Sequence, residues 1–328
     1  MKELTGIHHV TAITSSAEKI YEFFTNVLGL RLVKKTINQD DIHAYHLFFA
    51  DDSGSPGTDM TFFDFPGIQK AQKGTNEISI TGFRVATDEA LEYWLKRFNH
   101  YQIKYRSIER LFHRKVLFFE DFDGQQYALF SDQGIDGVQA GLPWKKGPVP
   151  DTYAIIGLGP IFFTVNQLDL MRNILLEKMM MRLVAKENQY TLFEMGEGGN
   201  GASVILIEDN NSSIGYQGYG AVHHVAFRVD DVNDIQAWVK RLEQFGARHS
   251  GLVDRFYFKS LYTRLYPNIL FEFATEGPGF IDDQEDYETL GETLALPPRF
   301  RDNREKIESL VRPINTKRSH KTFKKEYF

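Results

Sequence analysis

Two short stretches of this 328-residue chain set a pair of histidines in the same surroundings: Gly6-Ile7-His8-His9-Val10-Thr11-Ala12-Ile13 and Ala221-Val222-His223-His224-Val225-Ala226-Phe227. Further along stands Glu272, a lone carboxylate in the apolar run Leu270-Phe271-Glu272-Phe273-Ala274. A carboxylate in such a run needs a partner, because an unpaired buried charge is strongly unfavourable. Imidazole and carboxylate are donors that divalent transition metals accept. Two histidines and one carboxylate, all on strands, therefore suggest a metal site. Successive side chains of a strand face opposite sides, so the two histidines of a pair cannot both face one metal from a regular strand. Alternation alone does not say which of each pair does.

Composition narrows the chemistry. The chain has no cysteine, which excludes disulfides, thiolate nucleophiles and thiolate ligands, and leaves nitrogen and oxygen to hold any metal. Net charge is -6 with the acidic residues spread, so no nucleic-acid partner is expected. The basic stretch 317 to 325 reads as a solvated terminus. No apolar run approaches the roughly 18 residues of a membrane span, and Lys2-Glu3 followed by a strand is not a signal segment, so a cytoplasmic protein without a membrane partner is expected. With 42% hydrophobic residues, the length suffices for two compact domains.

The elements that must position these residues repeat four times in the order β-α-β-β-β, starting near residues 6, 77, 155 and 221. In the first copy, Ser15-Ser16-Ala17-Glu18 reads as a capping box with Ser15 at the cap. Ile20, Phe23, Phe24, Val27 and Leu28 follow at one-face helical spacing, and strands are expected at 30 to 37, 44 to 50 and 60 to 65. The second copy has a strand from Glu77, a helix over 87 to 99 and strands at 103 to 108, 114 to 120 and 126 to 130. The third has a strand over 156 to 165, a helix over 168 to 178 and a last strand at 202 to 207. In the fourth, Asp231 caps a helix that Gly246 stops, and strands follow at 248 to 253, 257 to 265 and 269 to 274. Segment 134 to 152, rich in Gly and Pro, is the linker candidate between 1 to 133 and 153 to 276. Residues 277 to 328 read as an extension that wraps the fold and frays at its end. Glu197-Gly198-Gly199-Asn200-Gly201 reads as a hairpin turn, not a phosphate loop.

This order of modules resembles the vicinal oxygen chelate (glyoxalase and extradiol dioxygenase) superfamily, and within it the ring-cleaving dioxygenases that act on hydroquinones. The resemblance covers about residues 5 to 300. It is carried by Ile7-His8-His9-Val10-Thr11-Ala12-Ile13, Val27-Leu28-Gly29-Leu30-Arg31-Leu32-Val33-Lys34-Lys35-Thr36, Ala44-Tyr45-His46-Leu47-Phe48-Phe49, Gly54-Ser55-Pro56-Gly57-Thr58, Val222-His223-His224-Val225-Ala226-Phe227 and Phe271-Glu272-Phe273. It implies an α+β fold in which four βαβββ modules pair into two open β-barrel-like domains. It implies His9, His224 and Glu272 as metal ligands. The matching positions Ile80, Pro160, Ala128 and Ile205 offer none, so one site would be shared by modules one and four.

The resemblance further implies that Tyr262 hydrogen-bonds a metal-bound substrate oxygen, that Arg255 meets the substrate, and that His8 and His223 orient it and move protons. Thr11, two residues after His9, shares its face and is placed to line the pocket. Each has a plainer reading: Tyr262 as a core aromatic, Arg255 as a strand-end charge, His8 and His223 as satisfied core histidines. Catechol-cleaving relatives place a catalytic histidine where Thr58 stands, which leans away from an ortho-diol and leaves His43 and His46 as substitutes. His46, in an aromatic strand, also reads as packing.

The expected function is Fe(II)-dependent ring cleavage of a small hydroquinone-type aromatic diol, inserting O2 next to a hydroxylated ring carbon; Mn(II) fits the same donors. One alternative is a glyoxalase-type isomerase or thiol transferase, although such isomerases carry a second carboxylate ligand where Thr61 or Phe62 stands here. The other is a non-catalytic protein that binds a small molecule without metal. A homo-oligomer is left open.

Overall fold

The computed structural model describes residues 2 to 328. The four repeats are present. The first consists of β1 (Ile7–Ile13), α1 (Ala17–Glu22), β2 (Arg31–Ile37), β3 (Tyr45–Ala50) and β4 (Asp59–Phe63). The second has β5 (Glu77–Val85), α2 (Asp88–His100), β6 (Glu109–Leu111), β7 (Arg114–Glu120) and β8 (Gln126–Ser131). The third has β9 (Ile155–Val165), α3 (Leu168–Asn173), β10 (Arg182–Glu187), β11 (Tyr190–Glu194) and β12 (Ser203–Glu208). The fourth has β13 (Ala221–Val229), α4 (Val232–Gln244), β14 (His249–Asp254), β15 (Lys259–Tyr266) and β16 (Ile269–Thr275).

Local differences from expectation have physical causes. The cap of α1 is Ser16, not Ser15: Ser16 Oγ accepts the Lys19 amide, while the amide and hydroxyl of Ser15 both donate to Asp123 of the second module. α1 and α3 each widen into a π turn, at Phe23–Val27 and Ile174–Lys178, where α2 and α4 run on as regular helices. The strand expected at 103 to 108 is an irregular segment held to β7 by isolated bonds, such as the Arg106 amide to the Phe118 carbonyl, and regular pairing begins only at β6. Most side chains of that segment are exposed, so no apolar face pulls it into register.

The strands form two eight-stranded mixed sheets. The first runs β14-β15-β16-β13-β1-β4-β3-β2 and the second β10-β11-β12-β9-β5-β8-β7-β6. Modules one and four thus build one sheet, and two and three the other. Each sheet draws one module from either side of segment 134 to 152, so the sheets do not divide at that segment. At the centre of each, the first strands of two modules pair antiparallel, and each lies parallel to the last strand of its own module. A continuous apolar core joins the sheets: Phe24 packs against Phe49 and Phe62 on one side and against Phe83 and Tyr127 on the other.

The extension after β16 returns along the first sheet. Phe280 packs on Phe48, and the buried Lys34 ammonium meets Glu285 at 2.8 Å. Its end is pinned where fraying was expected: the Glu326 amide donates to the Pro148 carbonyl and its carboxylate faces Arg97 and Tyr101. Arg97 is fully buried, and a buried guanidinium requires such a counter-charge. No helix among the described residues is long and apolar enough to cross a membrane.

Candidate metal centre

Both histidine pairs lie where the central strands of the first sheet slip. In the β1–β13 ladder Ile7 faces Phe227 and His9 faces Ala226, so His8 is an extra residue; Thr11 faces His224 and Ala12 faces Val222, so His223 is another. A bulged residue leaves the strict in-and-out alternation. Each first histidine therefore tucks beside the second rather than pointing away, with ring centroids 5.1 Å apart in both pairs.

This arrangement sets tautomers. His8 Nε2 lies 3.0 Å from the Thr275 carbonyl, which can only accept, so that nitrogen carries the proton. Its bare Nδ1 then accepts from His9 Nδ1–H at 2.9 Å, which leaves His9 Nε2 with a free lone pair. The second pair repeats the contact, His223 Nδ1 to His224 Nδ1 at 2.8 Å. Burial, followed by the neighbouring imidazole, lowers both His8 and His223 to about 3, so both are neutral.

The freed nitrogens converge on Glu272. Its Oε2 stands 3.2 Å from His9 Nε2 and 2.9 Å from His224 Nε2, and the two nitrogens are 3.3 Å apart. Ligands at right angles, each about 2.1 Å from one ion, would stand about 3.0 Å from one another, so the three donors fit one face of a metal ion. Oε2 is buried and otherwise unpartnered, whereas Oε1 accepts from Ser260 Oγ. Burial pushes the Glu272 carboxyl up, but the facing imidazoles of His9 and His224 outweigh it and hold it well below the usual carboxylate range. These three form the one cluster of metal-donor side chains found among the described residues.

His9 and His224 open onto a cavity of 360 Å³ walled by Phe48, Phe63, Tyr257 and Phe258. That suits a small aromatic molecule. Tyr262, the ladder partner of Glu272, and Arg255 lie on the same wall. Arg255 Nε donates to Tyr262 Oη at 3.0 Å, so the phenol keeps its own hydrogen to donate; burial raises its pKa and keeps it protonated. His223 reaches the cavity, whereas His8 stands behind His9.

Thr11 does not line this cavity. It is fully buried, 2.7 Å from Thr61 Oγ1, which in turn lies 2.9 Å from His46 Nε2 on the cavity wall. The ladder shows that Thr61 is the module-one counterpart of Glu272: Thr11 pairs with Thr61 as Ala226 pairs with Glu272. With its hydroxyl spent on Thr11 and His46, the position supplies no second carboxylate. Thr58 closes a turn by donating to the Ser55 carbonyl, and His43 is exposed beside Asp41. The site residues that sequence reasoning passed over are Asp40, Tyr257 and Phe258, while His46, weighed there as a substitute or as packing, lines the cavity. Alternation in Tyr45-His46-Leu47-Phe48 does put His46 and Phe48 on one face. Asp40 carries no local signal, since its partner Arg255 is 215 residues away.

The Glyoxalase/Bleomycin resistance protein/Dioxygenase superfamily model matches residues 6–128 and 157–278, the four modules. The chain is 42% identical over 317 residues to MhqA of Bacillus subtilis, assigned as a ring-cleaving dioxygenase, with 95% of this chain and 99% of that protein covered. It is 30% identical over 308 residues to the chlorohydroquinone/hydroquinone 1,2-dioxygenase of Sphingobium indicum, covering 91% and 93%. A crystal structure of a Bacillus subtilis protein assigned as a dioxygenase superposes with a TM-score of 0.88 at 33% identity, covering 97% and 99%. With its module order, paired sheets and family match in agreement, the chain belongs to the glyoxalase/bleomycin resistance protein/dioxygenase superfamily.

Proposed function

We propose that this chain is a ring-cleaving dioxygenase acting on a hydroquinone-type aromatic diol and O2, with divalent iron held by His9, His224 and Glu272. The observation that carries this reading is the convergence of three donors, the one such cluster among the described residues, with His9 and His224 opening onto an aromatic-walled cavity. Further support is the likeness to relatives whose names state ring cleavage and, in one case, a hydroquinone substrate.

Iron held there supplies Lewis acidity toward a ring hydroxyl and the redox chemistry that O2 requires; manganese suits the same donors. The protein's part is positioning. Phe48, Phe63 and Phe258 hold the ring and keep water out. Tyr262 donates its hydroxyl hydrogen to a substrate oxygen while Arg255 fixes the phenol from behind. His223, neutral and at the cavity edge with its Nδ1 turned to His224, is placed to donate its Nε2 hydrogen to a substrate oxygen and so orient the diol. His8 holds His9 in the tautomer that presents Nε2.

The test is anaerobic loading with Fe(II), then oxygen-electrode assays with hydroquinone, methylhydroquinone and catechol. The expected result is O2 uptake with the para-diols, one O2 per ring opened. Iron-loaded protein that consumes no O2 with any of the three would overturn the reading.

A further inference from the structure

The first sheet is open between its edge strands β2 and β14, and two loops face each other across the opening. The Asp40 carboxylate, after β2, accepts from both terminal nitrogens of Arg255, after β14, at 3.1 and 2.9 Å. Gln39 donates to the Arg255 carbonyl at 2.7 Å, and Arg299 holds Gln39 Oε1 at 2.9 Å. The remaining nitrogen of Arg255 is spent on Tyr262. Arg255 is the only Lys or Arg among the described residues lining the cavity, so the site's one side-chain cation is neutralised from outside. The Asp40 side chain is 71% exposed and that of Arg255 19%, which makes the aspartate the water-facing member. Asp41, on the same rim, adds a second carboxylate.

We propose that Asp40 is a positioning residue and charge filter at the mouth of this site, restricting it to phenolic rings that carry no carboxylate. The proposal rests on the reading of the cavity as an aromatic-diol site. An exposed ion pair adds little stability, so the measurable consequence is what it does to Arg255. A ring carboxylate entering the cavity passes Asp40 and Asp41 and finds the guanidinium occupied. A neutral ring meets neither penalty and needs only Tyr262 and the aromatic walls. Removing the Asp40 charge leaves Arg255 as an unneutralised cation at the mouth. Where water screens the charge, as it does at the exposed Asp40, one unit charge a few ångströms away changes anion binding by about tenfold.

The test measures binding by calorimetry, on anaerobic Fe(II)-loaded protein, of two monophenols: neutral 4-methylphenol and anionic 4-hydroxybenzoate. The parent is expected to prefer 4-methylphenol. Asp40→Asn should shift the ratio of the two affinities about tenfold toward 4-hydroxybenzoate, and Asp40→Glu, which keeps the charge, should restore the parent ratio. Asp41→Asn removes the same charge without touching Arg255 and should shift the ratio by no more than about twofold. If Asp40→Asn weakens both phenols in parallel, or Asp41→Asn shifts the ratio equally, the filter is overturned. A parent that binds neither phenol overturns both the filter and the diol reading. A parent with the expected preference but no O2 uptake overturns the diol reading alone.

Discussion

The two sheets share a strand order and a central ladder, and both slips of the first ladder have counterparts in the second, which slips once more between Phe83 and Val85. Where His8 bulges from β1, Ser79 bulges from β5; where His223 bulges from β13, the Gly159-Pro160 step displaces β9. At the positions of His9, His224 and Glu272 the second sheet carries Ile80, Pro160 and Ile205. Its concave face is filled by Phe118, Phe130 and Phe162 in one apolar cluster, where the first sheet leaves a 360 Å³ cavity. On the same sheet the Arg114 guanidinium is taken up by Glu194 at 2.7 Å and Asn200 at 2.9 Å. One frame therefore serves as a site or as a packed support, and a handful of side chains decides between them.

The largest effect that bears on this contrast is Glu272→Ala, which should make the first sheet resemble the second by weakening Fe(II) retention at least about hundredfold, read by metal analysis after dialysis. One equivalent of iron retained by that variant would mean the donors lie elsewhere. Next, Phe162→Ala should leave a cavity in the second sheet and lower unfolding stability by about 3–5 kcal/mol in urea titrations. Iron stoichiometry should stay unchanged; parallel loss of iron would show that the two faces are not independent.

The smallest effect is pH-dependent. The strands of the second sheet contain no histidine, whereas burial, then the neighbouring His9 and His224, holds His46 in the first well below the ordinary imidazole range. A histidine depressed in the folded state contributes its full stability above the unfolded value near 6.5 and loses it as pH falls, because the unfolded chain then takes up protons that the folded chain refuses. Stability should fall between pH 7.5 and 5.5, and His46→Gln should recover about 1 kcal/mol of that loss. An unaltered pH slope in the variant would show that His46 is not held neutral.

Much of this was legible in the sequence because it rests on local pattern. The βαβββ order follows from periodicity and caps, the echo of His8-His9 in His223-His224 marked a candidate metal site, and its sharing by modules one and four was what the family resemblance implied. What could not be read depends on contacts distant in the chain. Ser15 looks like a cap until Asp123, 108 residues away, takes its hydroxyl. Alternation turns His8 away from His9, and only a bulge made by pairing with β13 brings the rings together. Thr11 shares a face with His9, yet Thr61 stands between it and the cavity. Which modules share a sheet is likewise invisible to periodicity, since all four carry the same pattern.

The nesting of modules two and three between the halves of the other sheet has a consequence in time. As the chain leaves the ribosome, every strand of the second sheet is available once Glu208 has emerged, while β1 still waits for β13. His9 and Glu272 can meet only after β16 has been made. The supporting half can be in place before the other begins to close, and the assembly of the His9–His224–Glu272 cluster is among the last events in the birth of the molecule. A chain interrupted after the third module would be half folded and wholly without a site.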